Sequence, residues 1–478
     1  MDRLSRELLE TMRAAFSHEG KSRPDIYRGE MLHRLGQPGC PICARLAADE
    51  RDYFFWLLYE NYSEPEVLDQ FRSSLGFCAT HAGWLATQTT RTDSVAYLHS
   101  HILQHALQVI GPGKKTGLRR SGRGLVAPRA CPACVSQSAS ASSFAWFLVK
   151  ALEEHDGLKL YGQPGLLCMS HLGLVARVAE PRVLERILHV QLSALQSAAR
   201  SLGNESQAAE RERPAPVEGA LVMVAGAPAL GTRLDVTPRE PSAPPRNPLE
   251  DFARLLPKTD SCPVCAEMWR ARLEWIGWLD RAADNEEKYR DLLARCPAHL
   301  WVCADQGKIR LRAWTARNAL EAATAKIQLA YDAGWRKRSR EKGPESLWSR
   351  LLRRNEGTGL AREILGRPER CPLCTRISVA EEVALNLLCG LLAFRKHRDA
   401  FEEGHGLCVR HLVGVLPKVS DERKKYLLQV ESARLSCLLW ELEEGWRKRS
   451  WNYRAETQGE EQRAWRRSLF RISGTCAP

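Results

Sequence analysis

The sequence predicts an all-α fold. Long stretches rich in Ala, Leu, Glu and Arg carry apolar residues at spacings of three and four, as amphipathic helices do. Alternating runs of Val, Ile and Thr, which indicate strands, are nearly absent. A third observation is a recurring pattern of cysteine and histidine, which divides this chain of 478 residues into four similar parts. We therefore expect several small helical cores rather than one large one.

The recurring pattern is Cys-Pro-x-Cys followed by Cys-x-x-His. It occurs four times, and the gap between the two motifs is nearly constant. Reading the motifs in chain order, the four sets are Cys40, Cys43, Cys78 and His81; Cys131, Cys134, Cys168 and His171; Cys262, Cys265, Cys296 and His299; Cys371, Cys374, Cys408 and His411. Chance or ordinary burial of cysteine in a core does not produce four ordered sets of this kind.

Three thiolates and one imidazole are the donors of a closed tetrahedral zinc site. The sequence therefore predicts four structural Zn²⁺ ions, one per module, whose binding supplies folding free energy. An iron–sulfur cluster with mixed ligands is the alternative. Haem attachment is excluded because His does not directly follow any Cys-Pro-x-Cys pair.

Composition restricts the cellular setting and the partners. There are 70 Lys+Arg and 57 Asp+Glu, giving a net charge of +13, which attracts polyanions without proving that one binds. Met1 to Glu10 shows neither a secretory signal nor an anchor, and the longest apolar runs fall short of a membrane span of about 20 residues. We expect a cytoplasmic protein without membrane association, in which cysteines bind metal rather than form disulfides.

The predicted domains follow the motifs along the chain as four tandem zinc-stapled helical modules in two pairs. A Pro-rich stretch separates the pairs and is expected to be a disordered linker. The predicted boundaries are 1–126 for an N-terminal helix and module 1, 127–204 for module 2, 205–248 for the linker, 249–356 for module 3, and 357–478 for module 4 with a basic C-terminal segment.

Basic segments containing tryptophan recur in the second half. Gly334-Trp-Arg-Lys-Arg-Ser339 reappears as Gly445-Trp-Arg-Lys-Arg-Ser450, and a further Trp-Arg-Arg follows near the C-terminus. Tryptophan here either packs on the domain or stacks on a base beside phosphate-binding cations. The candidate nucleic-acid-binding residues are Trp335, Arg336, Lys337, Arg338, Trp446, Arg447, Lys448, Arg449, Trp465, Arg466 and Arg467.

Other candidates receive simpler interpretations. His99, His101 and His105 lie close together on one predicted helix, but the Glu of a zinc-protease motif is missing, so we interpret them as solvated or capping residues. The segment Gly111-Pro-Gly-Lys-Lys-Thr116 lacks the earlier glycine of a phosphate loop and has Lys115 where that loop requires Ser or Thr. Four cysteines stand outside the motifs. Cys303, Cys389 and Cys437 are expected in the core, and Cys476 in an exposed tail.

The motifs, with Gly-Phe-Cys78-Ala-Thr-His81 the clearest, resemble those of a group of uncharacterised bacterial zinc-binding helical proteins. The resemblance covers the four modules but not the Pro-rich stretch. It implies a bacterial, cytoplasmic zinc-binding domain and no assigned reaction. The third set departs from the pattern at Arg295-Cys-Pro-Ala-His299, which places its metal in most doubt.

Three functional hypotheses follow. The first is a non-enzymatic interaction or scaffold protein, because the four sites are closed and no catalytic arrangement stands out. The second is a nucleic-acid-binding regulator that uses the basic Trp/Arg segments. The third is a redox sensor, in which oxidation of the thiolates releases zinc. The partner, whether protein or nucleic acid, is left open.

Overall fold

The computed structural model confirms the all-α fold. It describes residues 23–474 except 111–129, 154, 163–164, 206–214, 228–246, 260, 336–357, 368–369 and 454, and within these ranges it has no strand, only a bridge between Gly39 and Gly165.

The helices, numbered here in chain order, are α1 Arg23–Leu35, α2 Pro41–Phe55 with a π-helical continuation Trp56–Asn61, α3 Pro65–Ser74, α4 Ala79–Gln88, α5 Thr92–Ile110, α6 Pro132–Glu153, α7 His155–Leu160, α8 Met169–Val178, α9 Pro181–Glu205, α10 Ala215–Ala225 and α11 Pro248–Ala253. They continue with α12 Pro263–Ala282, α13 Glu286–Tyr289, α14 Pro297–Gln306, α15 Ile309–Trp335, α16 over residues 358–366, α17 Pro372–Leu391, α18 Arg395–Glu403, α19 Val409–Val415, α20 Asp421–Arg449 and α21 Ala464–Ser473. Short 3₁₀ turns lie at Ala283–Asn285, Arg290–Leu292, Leu416–Lys418 and Glu460–Arg463.

The cysteine motifs coincide with helix starts. The proline of each Cys-Pro-x-Cys is the first residue of a helix, α2, α6, α12 or α17. Proline favours this position because its fixed φ suits a helix and its missing N–H would have no helical partner there. The cysteine of each Cys-x-x-His is the N-cap of α4, α8, α14 or α19, with extended backbone. The sequence thus places every candidate ligand within the first turn of a helix or just before it.

The chain divides into two compact units, each built from three separate segments. Unit 1 draws on residues 1–49, 136–229 and 282–371, and unit 2 on residues 50–135, 230–281 and 372–478. The units therefore do not coincide with four consecutive modules. Each unit contains segments from both sides of the Pro-rich stretch.

In unit 1, helices from the two sides of the Pro-rich stretch pack together. Helix α9 lies along α15, and α10 packs against both α15 and α14. Helix α10 corrects the prediction of a disordered linker over 205–248, because Ala215–Ala225 is helical inside that range. Its apolar face is buried, with Leu221 fully inaccessible and Val224 nearly so. Residues 206–214 and 228–246 of the predicted linker lie outside the described residues.

Unit 2 is organised in the same way. Helix α20 packs along α5, and the last helix, α21, packs against α4 and α5. Its core includes the buried rings of Phe54, Phe71, Phe252 and Phe401. Burial of such side chains contributes about 1.5–3 kcal/mol each. The C-terminal segment, which the sequence marks as basic, is thus in part a core element of this unit.

None of the described helices is by itself long and apolar enough to cross a membrane. Only Pro372–Leu391 and Arg395–Glu403, taken together as a pair bent by 118°, meet the criteria of length and composition.

Candidate metal centres

The structure brings the sixteen predicted ligands into four groups, but it pairs the motifs differently from the sequence prediction. Cluster 1 is Cys40, Cys43, Cys168 and His171; cluster 2 is Cys78, His81, Cys131 and Cys134; cluster 3 is Cys262, Cys265, Cys408 and His411; cluster 4 is Cys296, His299, Cys371 and Cys374. In each half of the chain the first motif joins the fourth, and the second joins the third. The predicted pairing of each Cys-Pro-x-Cys with the next Cys-x-x-His is therefore wrong.

The length of the helices explains this pairing. Helix α2 and its π-helical continuation run without a break over 15 and 6 residues after Cys40. At 1.5 Å per residue they carry the chain about 30 Å away from Cys43. Helix α3, with 10 residues, spans only about half of that distance. Cys43 lies instead with Cys168 and His171, at the start of α8.

Distances within the clusters fit a four-coordinate metal. The Sγ atoms of Cys43 and Cys168 lie 3.8 Å apart, and those of Cys78 and Cys134 lie 3.7 Å apart. A tetrahedron with Zn–S bonds of about 2.3 Å has S···S edges of about 3.8 Å. A disulfide bond of about 2.0 Å is excluded at these separations, and all these cysteines are free.

The histidines present their Nδ1 atoms to the sulfurs. In cluster 1, His171 Nδ1 lies 3.2 Å from Cys168 Sγ and 3.3 Å from Cys40 Sγ. In cluster 3, His411 Nδ1 lies 3.2 Å from Cys408 Sγ. A zinc ion bonded to sulfur at about 2.3 Å and nitrogen at about 2.0 Å places these atoms about 3.5 Å apart. The donor sets are thus arranged so that each cluster could hold one metal ion.

Burial distinguishes the clusters. All four residues of cluster 3 are buried, whereas cluster 4 includes the exposed Cys374. The third sequence set, whose metal the sequence places in most doubt, is divided between these two extremes. Its Cys262 and Cys265 belong to the most buried cluster, and its His299 belongs to the most exposed one.

Local electrostatics affect the cysteines of a cluster unequally: hydrogen bonds from neighbouring cysteines raise the pKa of Cys134, Cys168 and Cys408 but lower that of Cys371. In cluster 4, a hydrogen bond between the side chains of Cys296 and Cys371 lowers the pKa of Cys371 to about 2, although burial opposes the shift. The backbone N–H of Arg295 also donates to Cys371 Sγ at 3.4 Å. Thiolates, not thiols, bind metal ions. A helix N-terminus, which contributes a partial positive charge, adds to this stabilisation.

In two of the cluster histidines, the ring nitrogen that faces away from the sulfurs lies beside a carboxylate. Glu50 Oε1 lies 3.1 Å from Nε2 of His81, and Glu381 Oε1 lies 3.3 Å from Nε2 of His411. Both glutamates stand seven residues after a Cys-Pro-x-Cys cysteine, on α2 and α17. A carboxylate in this position fixes the ring orientation and tautomer of a metal-binding histidine. Sequence reasoning missed these glutamates, although their common spacing was visible.

Contacts with the cluster sulfurs raise the pKa of His81, His171 and His411 although burial opposes the shift. Burial lowers the pKa of His81, but the bonds to Cys131 and Cys78 outweigh it and raise the pKa to about 12. The bond to His411 likewise keeps the pKa of the Glu381 carboxyl below its usual range, although burial opposes this. A metal ion must therefore displace a proton from each such imidazole.

Replacement of Glu50 is expected to weaken metal binding at cluster 2. Glu50→Gln removes the charge that fixes His81, and loss of such a partner commonly costs 10–100-fold in metal affinity. We expect about a tenfold loss at one of the four sites, measured by competition with a zinc chelator. Glu60→Gln, at an exposed position of the adjoining π-helix, is the matched control and should bind as the unsubstituted protein does. Equal affinities for the two variants would contradict the role of Glu50.

Two glycines that the sequence did not single out lie directly on the sulfurs. Gly226, just after α10, has a φ of +79°, and a Cβ there would lie 2.6 Å from Cys43 Sγ and 3.1 Å from Cys168 Sγ. Gly474, just after α21, has a φ of +80°, and a Cβ there would lie 3.1 Å from Cys265 Sγ. Only glycine adopts such a backbone readily and leaves room for the sulfurs. Clusters 1 and 3 are therefore covered in the same way.

Other contacts hold these covering segments in place. The indole Nε1 of buried Trp301 donates to the carbonyl oxygen of Gly226 at 3.1 Å. On α21, the guanidinium of Arg471 pairs with Glu431, and both side chains are buried. Glu431 Oε1 also accepts from the N–H of Leu407, the residue before Cys408, at 2.9 Å. Breaking a buried pair of this kind typically costs 3–5 kcal/mol.

The candidate nucleic-acid-binding residues are mostly engaged within the protein. Arg447 pairs with Glu444 and Glu456, Lys448 with Glu461, Arg449 with Asp93, and Arg467 with Glu441. Trp335 is buried, Trp465 is half-buried, and Trp446 is 44% exposed with its ring 5.6 Å from that of Tyr97. Arg466 is exposed, and Arg336, Lys337 and Arg338 lie outside the described residues. Among the described candidates of unit 2, most cations are therefore paired within the protein rather than presented on one open basic surface.

The remaining cysteines and histidines differ in part from expectation. Cys303 is buried and Cys389 half-buried, but Cys437 is exposed, so its predicted core position is wrong. Cys476 and the segment 111–116 lie outside the described residues. His101 is half-buried beside Arg72, at 3.3 Å, whereas His99 is buried rather than solvated. It lies on the face of α5 that enters the core of unit 2.

Burial of His99 makes stability depend on pH. Burial lowers its pKa from 6.5 to about 4, with the Ser468 backbone opposing the shift. Above pH 6.5 both states are neutral; between pH 6.5 and about 4 only the unfolded chain binds the proton, so stability falls as pH falls. We expect His99→Gln to reduce the loss of unfolding free energy between pH 7 and 5 by about 2 kcal/mol in chemical denaturation. Exposed His189 provides the control, and His189→Gln should leave the loss unchanged. Identical losses in all three proteins would contradict this account.

Comparisons with protein-family models, with curated proteins and with solved structures give no match for this chain.

Proposed function

We propose that this protein is a non-enzymatic zinc protein, in which four structural ions hold a helical scaffold that binds a protein partner. The observation that carries the proposal is the completeness of the four donor sets. Each cluster offers three sulfurs and one nitrogen, all within 4.8 Å of one another. A zinc ion with four protein ligands has no open position for water or substrate, as catalytic zinc requires.

Exposed aromatic side chains support a binding role. On and just after α20, Trp440 is 61% and Trp451 73% exposed, with Trp446 and Tyr453 also exposed. Large aromatic residues are enriched at protein interfaces, where their burial contributes much of the affinity. The neighbouring cations Arg447, Lys448 and Arg467 pair with the largely buried carboxylates of Glu444, Glu461 and Glu441. Such pairing favours a protein partner over nucleic acid, because nucleic-acid affinity depends on cations that reach phosphates.

Metal analysis of the purified protein tests the structural part of the proposal. We expect four zinc ions per chain, and loss of helical circular dichroism when a strong chelator removes them. Cobalt-substituted protein should show the absorption of four-coordinate sites, unchanged by azide. A spectral change with azide would reveal an open position and contradict a purely structural role, and iron with sulfide would indicate an iron–sulfur protein instead.

Binding to labelled DNA and RNA over a range of salt concentrations tests the choice of partner. We expect no binding at physiological salt. Tight binding that falls steeply with salt would show that phosphates are contacted and would overturn the preference for a protein partner.

A further inference from the structure

A cavity of ≈ 300 Å³ in unit 1 is distinct from the metal-binding atoms themselves, although Cys296 contributes to its wall. It lies among α8, α10, α14, α15 and α16. Protein interiors are packed almost without voids, and pockets of this size at the lower end of the range for ligand sites are uncommon.

The floor of the cavity is apolar and made of small side chains. Helix α15 presents Ala319, Ala322 and Ala323 on one face, as the spacing of three and four residues requires. Leu300 and Leu365, both buried, complete the floor. These alanines create the space, because larger side chains at the same positions would fill it. The floor suits a hydrocarbon or aromatic group rather than a polar one.

The rim carries four cations, and none of the described residues that line the cavity is acidic. The cations are Arg177, Arg295, Lys326 and Arg367. Lys326 stands one helical turn from Ala322 and donates to the carbonyl oxygen of Arg367 at 2.8 Å. Arg177 lies beside Gly366 on the opposite side, where a Cβ would come within 3.7 Å of its guanidinium.

The carboxylates that do pair with rim cations are on the outer surface. Asp291 lies 3.0 Å from Arg295 and is 95% exposed, and Glu363 lies 3.0 Å from Arg367 and is 64% exposed. Exposed ion pairs contribute little free energy, so a ligand that enters the rim can compete for these guanidiniums. The rim thus attracts negative charge while the floor attracts an apolar group.

We propose that this cavity binds a small organic anion with an apolar tail, such as a short-chain carboxylate. The tail enters the alanine-lined floor, and the carboxylate stays at the rim with Arg177. Guanidinium and carboxylate groups match geometrically, and their charge-assisted hydrogen bonds are stronger than neutral ones. The head group therefore selects an anion, and the floor limits the length of the tail.

Calorimetric titration of the zinc-loaded full chain with octanoate tests the proposal. We expect one octanoate per chain, with octanol and octylammonium binding at least tenfold more weakly. Arg177→Gln should weaken octanoate at least tenfold, whereas Arg182→Gln, at an exposed position on α9 that does not line the cavity, should have no effect. Octylammonium that binds as tightly as octanoate, or no octanoate binding at millimolar concentration, would overturn the proposal.

The rim cations also lie near the negative charge of a metal-loaded cluster 4, so a variant that changes only shape is needed. Ala322→Phe should fill the floor and abolish octanoate binding while four zinc ions remain bound. Ala325→Phe, at an exposed position on the same helix outside the cavity, is the matched control and should bind octanoate normally. Full octanoate binding by Ala322→Phe would show that the ligand lies elsewhere. If Ala322→Phe loses zinc, the comparison of Arg177→Gln with Arg182→Gln still shows whether octanoate binds in this cavity.

Discussion

Serine at both Cys43 and Cys168 is expected to remove one zinc ion per chain, whereas serine at both Cys43 and Cys78 is expected to remove two. The first two cysteines lie in the same cluster, and the second two lie in different clusters. A cluster that has lost one thiolate no longer holds its ion, so a second substitution in the same cluster removes no further ion. Zinc counted by native mass spectrometry should therefore fall from four to three in the first variant and to two in the second.

The same experiment distinguishes the observed pairing from the sequential one. If each Cys-Pro-x-Cys held its ion with the next Cys-x-x-His, the two counts would be exchanged. In the second half, Cys265 with Cys408 should lose one ion, and Cys265 with Cys296 should lose two. Cys437→Ser, at an exposed cysteine outside the clusters, should retain all four ions.

Much of the fold and of the donor set was accessible from sequence for local reasons. Helical periodicity and the near absence of alternating runs predicted an all-α protein, and the described residues confirm it. The proline of each Cys-Pro-x-Cys and the N-cap cysteine of each Cys-x-x-His act within one helical turn, so their effect is encoded locally. The sixteen candidate ligands were recognised from the same local motifs.

The pairing of motifs was not accessible in this way. The spacing from Cys43 to Cys78 is almost equal to that from Cys134 to Cys168, which suggests that each Cys-Pro-x-Cys pairs with the Cys-x-x-His that follows it. Spacing along the chain therefore could not reveal that Cys43 pairs with Cys168 instead. The outcome depends on how long each helix is and where it packs, which are properties of the tertiary structure. The same reason hid α10. Its own residues are mostly apolar, with Pro216 as the one proline, but Pro214 and Pro228 flank it, and its burial against α14 and α15 is a tertiary contact that the local sequence does not specify.

Within each unit, a metal ion bound at a cluster would add to the helix packing that joins the two sides of the Pro-rich stretch. Unit 1 contains cluster 1, formed by the first half of the chain, and the contact of α9 with α15 joins the two halves there. Unit 2 contains cluster 3, formed by the second half, and the contact of α5 with α20 does the same. Loss of an ion is therefore expected to disturb helices from both halves.

Gly226→Ala is expected to abolish metal binding at cluster 1. The new Cβ would lie 2.6 Å from Cys43 Sγ, a distance that real Cβ atoms do not reach, and the φ of +79° is unfavourable for alanine by about 1–2 kcal/mol. Relief requires α10 or a sulfur to move, and either movement spoils the tetrahedron. Because a structural zinc ion contributes on the order of 10 kcal/mol, we expect the zinc count to fall from four to three and unit 1 to unfold at lower denaturant concentration.

The matched control lies on the same helix. A Cβ at Gly219 meets nothing within 4 Å, so Gly219→Ala should keep four ions and gain up to about 1 kcal/mol from its better helix propensity. Gly474→Ala should have the same kind of effect at cluster 3 but a smaller one, because its Cβ would lie 3.1 Å from Cys265 Sγ rather than 2.6 Å. Four ions in Gly226→Ala at wild-type affinity would show that α10 does not cover the sulfurs of cluster 1 in solution. If zinc affinity instead falls progressively from Gly219→Ala through Gly474→Ala to Gly226→Ala, metal retention depends on the space beside the sulfurs. The two glycines with positive φ, Gly226 and Gly474, both provide that space.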